Sequence, residues 1–339
     1  MKRISVCIAN YNGENLLPDC IESVLAQEVN ALVEIIVHDD ASTDRSVAMI
    51  KQDFPGVELV PSSENVGFCC ANNRMVERSA GDYVLLLNND AALLPGALAA
   101  LLLEAEGVTN RKSEILGLPQ YDWRTGELVD RGCLLDPTLM PIPNLSANVD
   151  RVAYIIGACM WLPKPLWREL GGFPDWMGSI GEDVYLCLAA ALRGSPVRVL
   201  SVSGYRHRQG ATFGGNRVAS AGIRTTIRRR YLSERNRLLA LAVMAPSLIL
   251  APWLLAAALA LALEGLVFVI IRWQFDVAGR IYKSALVDFC RLLPRAILAR
   301  RHHQAAKCIG IVAFLSCFRL DSTKLRLLLR YGMPTVSSQ

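Results

Sequence analysis

The chain reads as an α/β protein: a mostly parallel central sheet flanked by helices, followed by a basic and apolar helical region. Three observations predict this. Short apolar runs alternate with amphipathic ones in the N-terminal part, the strand–helix–strand signature of crossover units. Several apolar runs end on acidic or amide residues, most plainly Tyr83-Val-Leu-Leu-Leu-Asn-Asn-Asp90. Charge is divided along the chain: residues 1–205 carry 15 Lys/Arg against 26 Asp/Glu, and residues 206–339 carry 21 against 5.

In order, Ile4–Ala9 is a first strand and Asn10-Tyr-Asn-Gly13 a polar loop. Glu14–Gln27 carries Leu16, Leu17, Ile21, Val24 and Leu25 at helical spacing. Val33–His38 is a second strand ending in Asp39-Asp40. Ser42 or Thr43 is placed to cap the next helix, with Asp44 in its first turn. Phe54-Pro-Gly56 closes that helix, Val57–Val60 is a third strand, and residues 71–80 are helical. Tyr83–Leu87 is a buried strand, and Pro95-Gly96 breaks the pattern beyond it. The strand ends bring Tyr11, Asp40 and Asp90 to one carboxyl edge, where open α/β sheets bind ligands. Taken alone, the 83–90 stretch supports two readings. Asp90 holds a hard divalent cation against a phosphate, or Asn89-Asp90 is only an Asx-type turn.

From Arg111 to Asn148 the prolines at 119, 137, 141 and 143 predict loops or irregular strands. Tyr154–Leu162 is a further buried strand, Pro165–Leu170 a short helix stopped by Gly171-Gly172, and Glu182–Leu192 a helix ended by Gly194. Val197–Val202 is the last strand. Residues 217–237 hold seven Arg and one Glu. Pro246–Ile271 has Glu264 as its one charge, and Ser247–Leu263 is a charge-free run of 17. A bilayer span needs about 20 apolar residues, and Pro252 kinks or starts such a helix. A shorter apolar run is Cys308–Phe318. Eight Lys/Arg lie between Arg272 and Lys307, so both flanks of the long run are basic. One simple span would put a basic flank on the wrong side. An in-plane or re-entrant arrangement, or two spans, is therefore expected over one span, with a buried helix of a soluble domain as the alternative. This divides the chain into residues 1–240 and a membrane-associated region 241–339.

The 339 residues suffice for one large domain or two ordinary ones, and the 52% hydrophobic content is slightly above a typical soluble domain. The basic half faces an anion. Lipid fits better than nucleic acid, because the same half is the most apolar and carries no zinc-finger or RNA-binding signature. Ten scattered cysteines without a C-x-x-C pair point to reduced thiols. Met1-Lys2-Arg3 runs straight into a strand, without the apolar core of a secretory signal.

The chemistry-bearing stretches, taken together, resemble family 2 glycosyltransferases, in the style of bacterial rhamnosyltransferases. The matching pieces are Val6-Cys-Ile-Ala-Asn-Tyr-Asn12, Val37-His-Asp-Asp-Ala-Ser-Thr-Asp44, Glu64-Asn-Val-Gly-Phe68, Asn72-Asn73, Gly81–Asp90, Gly171-Gly-Phe173 and Gly181-Glu-Asp-Val184. Arg235-Asn-Arg237 also fits, and the resemblance covers about residues 4–240. It implies the GT-A nucleotide-sugar-binding fold and an inverting single displacement.

The resemblance also implies roles. Tyr11 stacks near the nucleobase and Asp40 accepts a hydrogen bond from a base N–H. Asn65, Gly67 and Asn73 lie beside the ribose and phosphates. Asp90 binds Mg²⁺ or Mn²⁺, which bridges the diphosphate and acts as a Lewis acid on the leaving group. Asn88 stands where many relatives have Asp, so the donor supplies part of the metal shell. Asn88 and Asn89 shape the turn, and Asn89 touches sugar or ribose. His207 completes the metal or diphosphate site, with Arg208 as an alternative phosphate contact. Asp183 is the general base for the acceptor hydroxyl, and Glu182 and Trp176 lie on the acceptor side. Blander roles stand beside these: Glu182 and Asp183 complementing a helix N-terminus, and Trp176 as core packing.

The chain departs from the family pattern where Tyr185 replaces a second Asp, where an Arg is missing from Leu188–Ala191, and where Ala9 replaces a hydroxyl residue. The expected function is transfer of a sugar from dTDP-rhamnose or a UDP-hexose to a hydroxyl of a lipid-linked or cell-surface glycan. The expected location is the cytoplasmic face of the inner or plasma membrane, peripheral or integral through residues 246–271. The alternatives are a polyprenyl-phosphate glycosyl synthase and a catalytically silent membrane scaffold. A redox Rossmann enzyme is disfavoured, since no G-x-G-x-x-G follows the first strand.

Overall fold

The computed structural model describes residues 1–107, 113–210, 217–219 and 222–337. The N-terminal part alternates as expected: β1 (Arg3–Asn10), α1 (Leu17–Leu25), β2 (Leu32–Asp39), α2 (Ser46–Asp53), β3 (Glu58–Pro61), α3 (Phe68–Arg78) and β4 (Tyr83–Asn88). These four strands pair in parallel, in the spatial order β4-β1-β2-β3. Both faces of the sheet are covered, so β1 and β4 are almost continuously apolar instead of alternating. Their register sets Ala9 beside His38 and Asn88, which aligns the carboxyl ends carrying Tyr11, Asp40 and Asp90.

Then come β5 (Ala91–Leu93), α4 (Ala97–Glu106) and five short strands: β6 (Ile115–Gly117), β7 (Gln120–Asp122), β8 (Leu128–Asp130), β9 (Cys133–Leu135) and β10 (Pro141–Pro143). The strand expected over Tyr154–Leu162 is confined to β11 (Cys159–Pro163), because Tyr154 instead bridges Cys133. β11 runs antiparallel between β4 and β6, which makes the central sheet mixed. After it come α5 (Lys164–Leu170), α6 (Glu182–Leu192), β12 (Val197–Val199) and β13 (Tyr205–His207). The last strand is thus shorter than the Val197–Val202 expectation. β12 closes the seven-stranded sheet against β6, and β13 lies between β5 and β7 in a second sheet of four strands.

Capping of α2 differs from the expectation. The cap position is Arg45, with no side-chain hydrogen bond. Ser42, Asp44 and Ser46 instead bind the loop after β1: Asn12 N–H donates to Ser42 Oγ (2.8 Å), Glu14 N–H to Asp44 Oδ2 (2.9 Å) and Gly13 N–H to Ser46 Oγ (3.1 Å). Neighbouring strand ends leave both loops short of partners, and each satisfies the other.

The C-terminal part begins with β14 (Arg217–Ala219) and β15 (Gly222–Thr226), followed by α7 (Ile227–Met244), α8 (Ser247–Arg272), α9 (Phe275–Ala278), α10 (Ser284–Ala305), α11 (Ile311–Leu315), α12 (Thr323–Tyr331) and β16 (Thr335–Ser337). α7 crosses residue 240, and Leu238–Ala245 are all buried. One apolar core runs continuously from Ile36 and Val84 to Phe268 and Phe289. α10 lies parallel to α7, since Tyr231 OH donates to Asp288 Oδ2 (2.6 Å) and Arg300 Nη1 to Ala245 O (2.6 Å). α8 returns antiparallel to both.

Glu264, the one charge of the apolar run, faces inward. It pairs with Arg230 and with Lys324 Nζ (2.6 Å) and accepts from Tyr282 OH (3.2 Å), beside Glu234, which also binds Lys324 (2.9 Å). The outer side of α8 is open: of its 26 residues, Leu261, Gly265 and Phe268 are the buried ones. That overturns the buried-helix alternative. The second apolar run forms only the five-residue α11. All ten cysteines are free.

Candidate active site

Four strand ends build the cleft. At β1 and β2, Asn10 Nδ2 donates to Asp39 Oδ1 (3.0 Å), and Asn10 Oδ1 accepts from Asn89 Nδ2 (2.8 Å). Asn89 is thereby held in the edge network. A Cβ at Gly13 would collide with both amides, so the tight first loop needs glycine there. Tyr11 stands out of this loop, 42% exposed, as a ring that stacks on a base must.

Asp40 is buried but fully engaged. Its Oδ1 accepts Val66 N–H (2.7 Å) and its Oδ2 accepts Gly67 N–H (2.9 Å), while Asn65 Nδ2 reaches its carbonyl (3.3 Å). Each carboxylate oxygen keeps a second lone pair. Gly67, at φ 84°, opens α3. Asn73 commits its amide elsewhere: Nδ2 donates to Phe173 O (2.8 Å), and Oδ1 accepts Phe173 N–H (3.0 Å). It clamps α3 to the Gly171-Gly172-Phe173 turn.

Antiparallel pairing of β13 with β5 brings His207 opposite Ala91 and so beside Asp90. His207 Nε2 lies 3.1 Å from Asp90 Oδ1, and both side chains are buried. On the other side of the ring, Nδ1 is 3.2 Å from Gln120 Oε1, which also accepts the Tyr205 hydroxyl (2.8 Å). An acceptor at Gln120 fixes a proton on Nδ1 and leaves Nε2 a lone pair in the neutral ring. That lone pair and a carboxylate oxygen repel unless a proton or metal ion lies between them. A carboxylate oxygen suits Mg²⁺ or Mn²⁺, and an imidazole nitrogen beside it favours Mn²⁺ of the two. No group of three or more His, Cys, Asp or Glu able to hold a metal occurs among the described residues. Arg208 stacks on Trp123 at 3.7 Å and pairs with Asp19.

Asp183, in the first turn of α6, accepts Val184 N–H (2.7 Å) and Gly157 N–H (3.2 Å). Ala158, next to Gly157, accepts Asn88 N–H (3.0 Å). Asp183 is thus tied to the same strand end that carries Asp90. Burial raises the Asp183 carboxyl above the usual range, opposed by those amides and by Arg229. Burial, with the neighbouring Asp183 charge, raises Glu182 as well; its Oε2 has no partner among the described residues.

Sequence reasoning missed what holds this acid pair. The segment before it has positive φ at Gly178 (75°), Ile180 (69°) and Gly181 (91°). A β-branched residue in that region is strained. Asn236 of α7, fully buried, locks it: Nδ2 donates to Met177 O (3.1 Å), Ser179 O (2.9 Å) and Ile180 O (2.7 Å), and Arg235 Nη2 adds a bond to Met177 O (2.7 Å). Arg235-Asn-Arg237 was the one trace of this in the sequence. Nothing there pointed to Arg229 or Gln120. Trp176 stands half-exposed with its ring edge-on to Tyr185 (6.3 Å), whose hydroxyl bonds His303 Nε2 of α10 (2.9 Å). The Tyr185 departure therefore joins α6 to the C-terminal helices.

The carboxyl edge of the α/β sheet thus gathers an exposed loop, an Asp–His pair and the Glu182–Asp183 acids, and the fold is GT-A. Residues 5–121 match the model of Glycosyl transferase family 2. The uncharacterized glycosyltransferase YibD of Escherichia coli (strain K12) is 35% identical over 106 residues, 30% of this chain and 30% of YibD. The succinoglycan biosynthesis protein ExoO of Rhizobium meliloti (strain 1021) is 30% identical over 104 residues, again 30% of each. These matches span under a third of the relatives' own length. Among solved structures, S. aureus TarS superposes with a TM-score of 0.57 at 16% identity, covering 94% of this chain and 90% of that one. GalNAc-T7, solved with UDP, GalNAc and Mn²⁺, gives 0.67 at 12% identity, covering 99% and 59%.

Proposed function

We propose that the chain is an inverting, metal-dependent glycosyltransferase that moves a sugar from dTDP-rhamnose or a UDP-hexose to a hydroxyl of a lipid-linked or cell-surface glycan, working from the cytoplasmic face of the membrane. The observation that carries this is the joint anchoring of Asp90 and Asp183 at the carboxyl end of β4. The Asp90–His207 pair meets the donor diphosphate there, and Asp183 stands where an acceptor hydroxyl must lose its proton. Asp90 and His207 would hold Mg²⁺ or Mn²⁺, which when bound stabilises charge on the departing diphosphate. Tyr11 and Asp40 orient the base, Asn65 and Gly67 line the way to the phosphates, and Asn73 and Asn89 hold these loops in place. Glu182 and Trp176 border the acceptor.

Asp183 takes the hydroxyl proton as that oxygen bonds the anomeric carbon and the carbon–oxygen bond to the diphosphate breaks. One displacement inverts the centre and needs no protein nucleophile. Binding of dTDP-rhamnose, UDP-glucose, UDP-galactose and UDP-N-acetylglucosamine, each with and without Mn²⁺, tests the donor site. Asp183→Asn should retain donor binding and lose about 10²–10⁴ in kcat. Arg229 beside the acid pair favours one second reading, a polyprenyl-phosphate acceptor, which needs no base; there Asp183→Asn keeps its activity. Absence of turnover and of metal-dependent binding with every donor would leave only the scaffold.

A further inference from the structure

We infer that the outer face of α8 is an in-plane docking surface for an anionic lipid bilayer, and that this helix lies along the leaflet instead of crossing it. The exposed positions of α8 form one stripe. Leu248, Leu255, Leu259, Leu263, Leu266 and Ile270 follow at three-, four- and seven-residue spacing and are 56–79% exposed. From Leu248 to Ile271 the stripe runs about 35 Å at 1.5 Å per residue, with no charged side chain on its solvent side. Trp273 (78%) and Phe275 (66%) extend it. A continuous apolar surface of this size is far beyond the scattered exposed leucines of an ordinary monomer.

The inner side of the helix excludes spanning. α8 is tied to the body along its whole length: Ser247 Oγ to Arg300 Nη2 (2.8 Å), Trp253 Nε1 to Pro137 O (2.7 Å), Glu264 to Lys324 and Arg230, and Arg272 Nη2 to Met333 O (2.6 Å). To cross a bilayer, α8 would have to leave α7 and α12. Arg230, Lys324 and the Tyr282 hydroxyl would then lose Glu264, and Glu264 would enter hydrocarbon unpaired. Lying in the plane keeps every one of these contacts and buries leucine, isoleucine and alanine with Pro252, Trp273 and Phe275.

Charge selects the occupant. Arg272, Arg319, Arg326 and Arg330 are exposed in the same C-terminal part, Arg326 paired with Asp321, and α12 adds exposed Leu325 (52%) and Leu329 (79%), each directly before one of its two arginines. Apolar residues interleaved with arginine are the pattern of interfacial helices on anionic lipid. A second copy meeting this face symmetrically would bring the same cationic rims together, which disfavours self-association. Docking of this kind deepens the lipid-linked acceptor reading above and rests on it. Vesicle binding and donor turnover are separate readouts, so failure of one is distinguishable from failure of the other.

The test is flotation of the full-length purified chain with phosphatidylcholine vesicles, with and without phosphatidylglycerol. Binding should favour the anionic vesicles, weaken with salt, and be released by alkaline carbonate. Leu259→Glu/Leu263→Glu/Leu266→Glu should keep its thermal transition and lose more than about tenfold in vesicle affinity, since three leucines no longer leave water. Arg326→Gln/Arg330→Gln should lose affinity for anionic vesicles alone. Retention after carbonate extraction would mean a spanning helix and overturn the inference. So would unchanged binding of the triple variant, or a dimer of the wild type that the triple variant converts to monomer without any vesicle binding.

Discussion

Replacing Asn236 by alanine tests the idea that α7 positions the acid pair from behind. The Asn236 amide donates to three carbonyls, of Met177, Ser179 and Ile180, in a fully buried setting. Arg235 keeps Met177 satisfied after the change. Two carbonyls lose their donor, at about 1–3 kcal/mol for each buried group left unpaired. Alanine returns a few tenths of a kcal/mol in helix propensity, and relaxation of the strained Ile180 returns on the order of 1 kcal/mol. The net cost to stability is then about 1–5 kcal/mol. The same relaxation moves Glu182 and Asp183, so kcat should fall well over tenfold, because a displacement of about 1 Å at a reacting group costs on that scale. Donor affinity should be spared, since Asp40, Asp90 and His207 lie on other elements. Urea unfolding, calorimetric donor binding and initial rates measure the three quantities on one preparation. An Asn236→Ala variant that turns over within twofold of wild type would show that the loop holds itself and that α7 is only packing.

Three further outcomes follow from the same geometry. His207→Ala should abolish Mn²⁺-enhanced donor binding, and Gln120→Leu should cost about 10–100-fold in metal affinity, as for a partner that orients a ligand; equal donor affinity with and without chelator in the wild type would contradict both. Burial and Asp183 hold Glu182 above the ordinary glutamate value, so folded protein keeps a proton that the unfolded chain releases. Stability therefore drops as pH climbs from the unfolded range into the raised folded range. Glu182→Gln should match wild type near pH 4 and gain at least about 1 kcal/mol above neutrality, one pK unit's worth. A gain equal at both pH values would mean packing and not ionisation. Arg229 opposes the upward shift of Asp183, so Arg229→Met should move the acidic limb of the kcat profile to higher pH, and an unmoved limb would remove Arg229 from the acid pair's surroundings.

The parallel edge was legible because its signals are local. Apolar runs ending in Asn10, Asp39-Asp40 and Asn88-Asn89-Asp90 define buried strands, and parallel register alone brings their ends together. Helix α6 and its opening acids were equally plain, from Gly181 to Gly194. Boundaries slipped where pairing, and not pattern, sets them: Tyr154 joins Cys133 instead of extending β11. Ser42 looked like a helix cap, and went to the loop after β1 because that loop had the more urgent need for acceptors.

By itself the sequence determined the α/β layering, the order of the strand ends, the acids they carry and the apolar length of α8. Each of these depends on residues within one element or its neighbour. Only the tertiary structure decided that Gln120 orients His207, that Asn236 locks the turn before Asp183, that Tyr185 meets His303, and which side of α8 the body leaves uncovered. Hydrogen bonds between residues 50 to more than 100 positions apart, and the choice of which helix face is covered, leave no period or spacing in the chain; they exist only once the packed core has selected its neighbours.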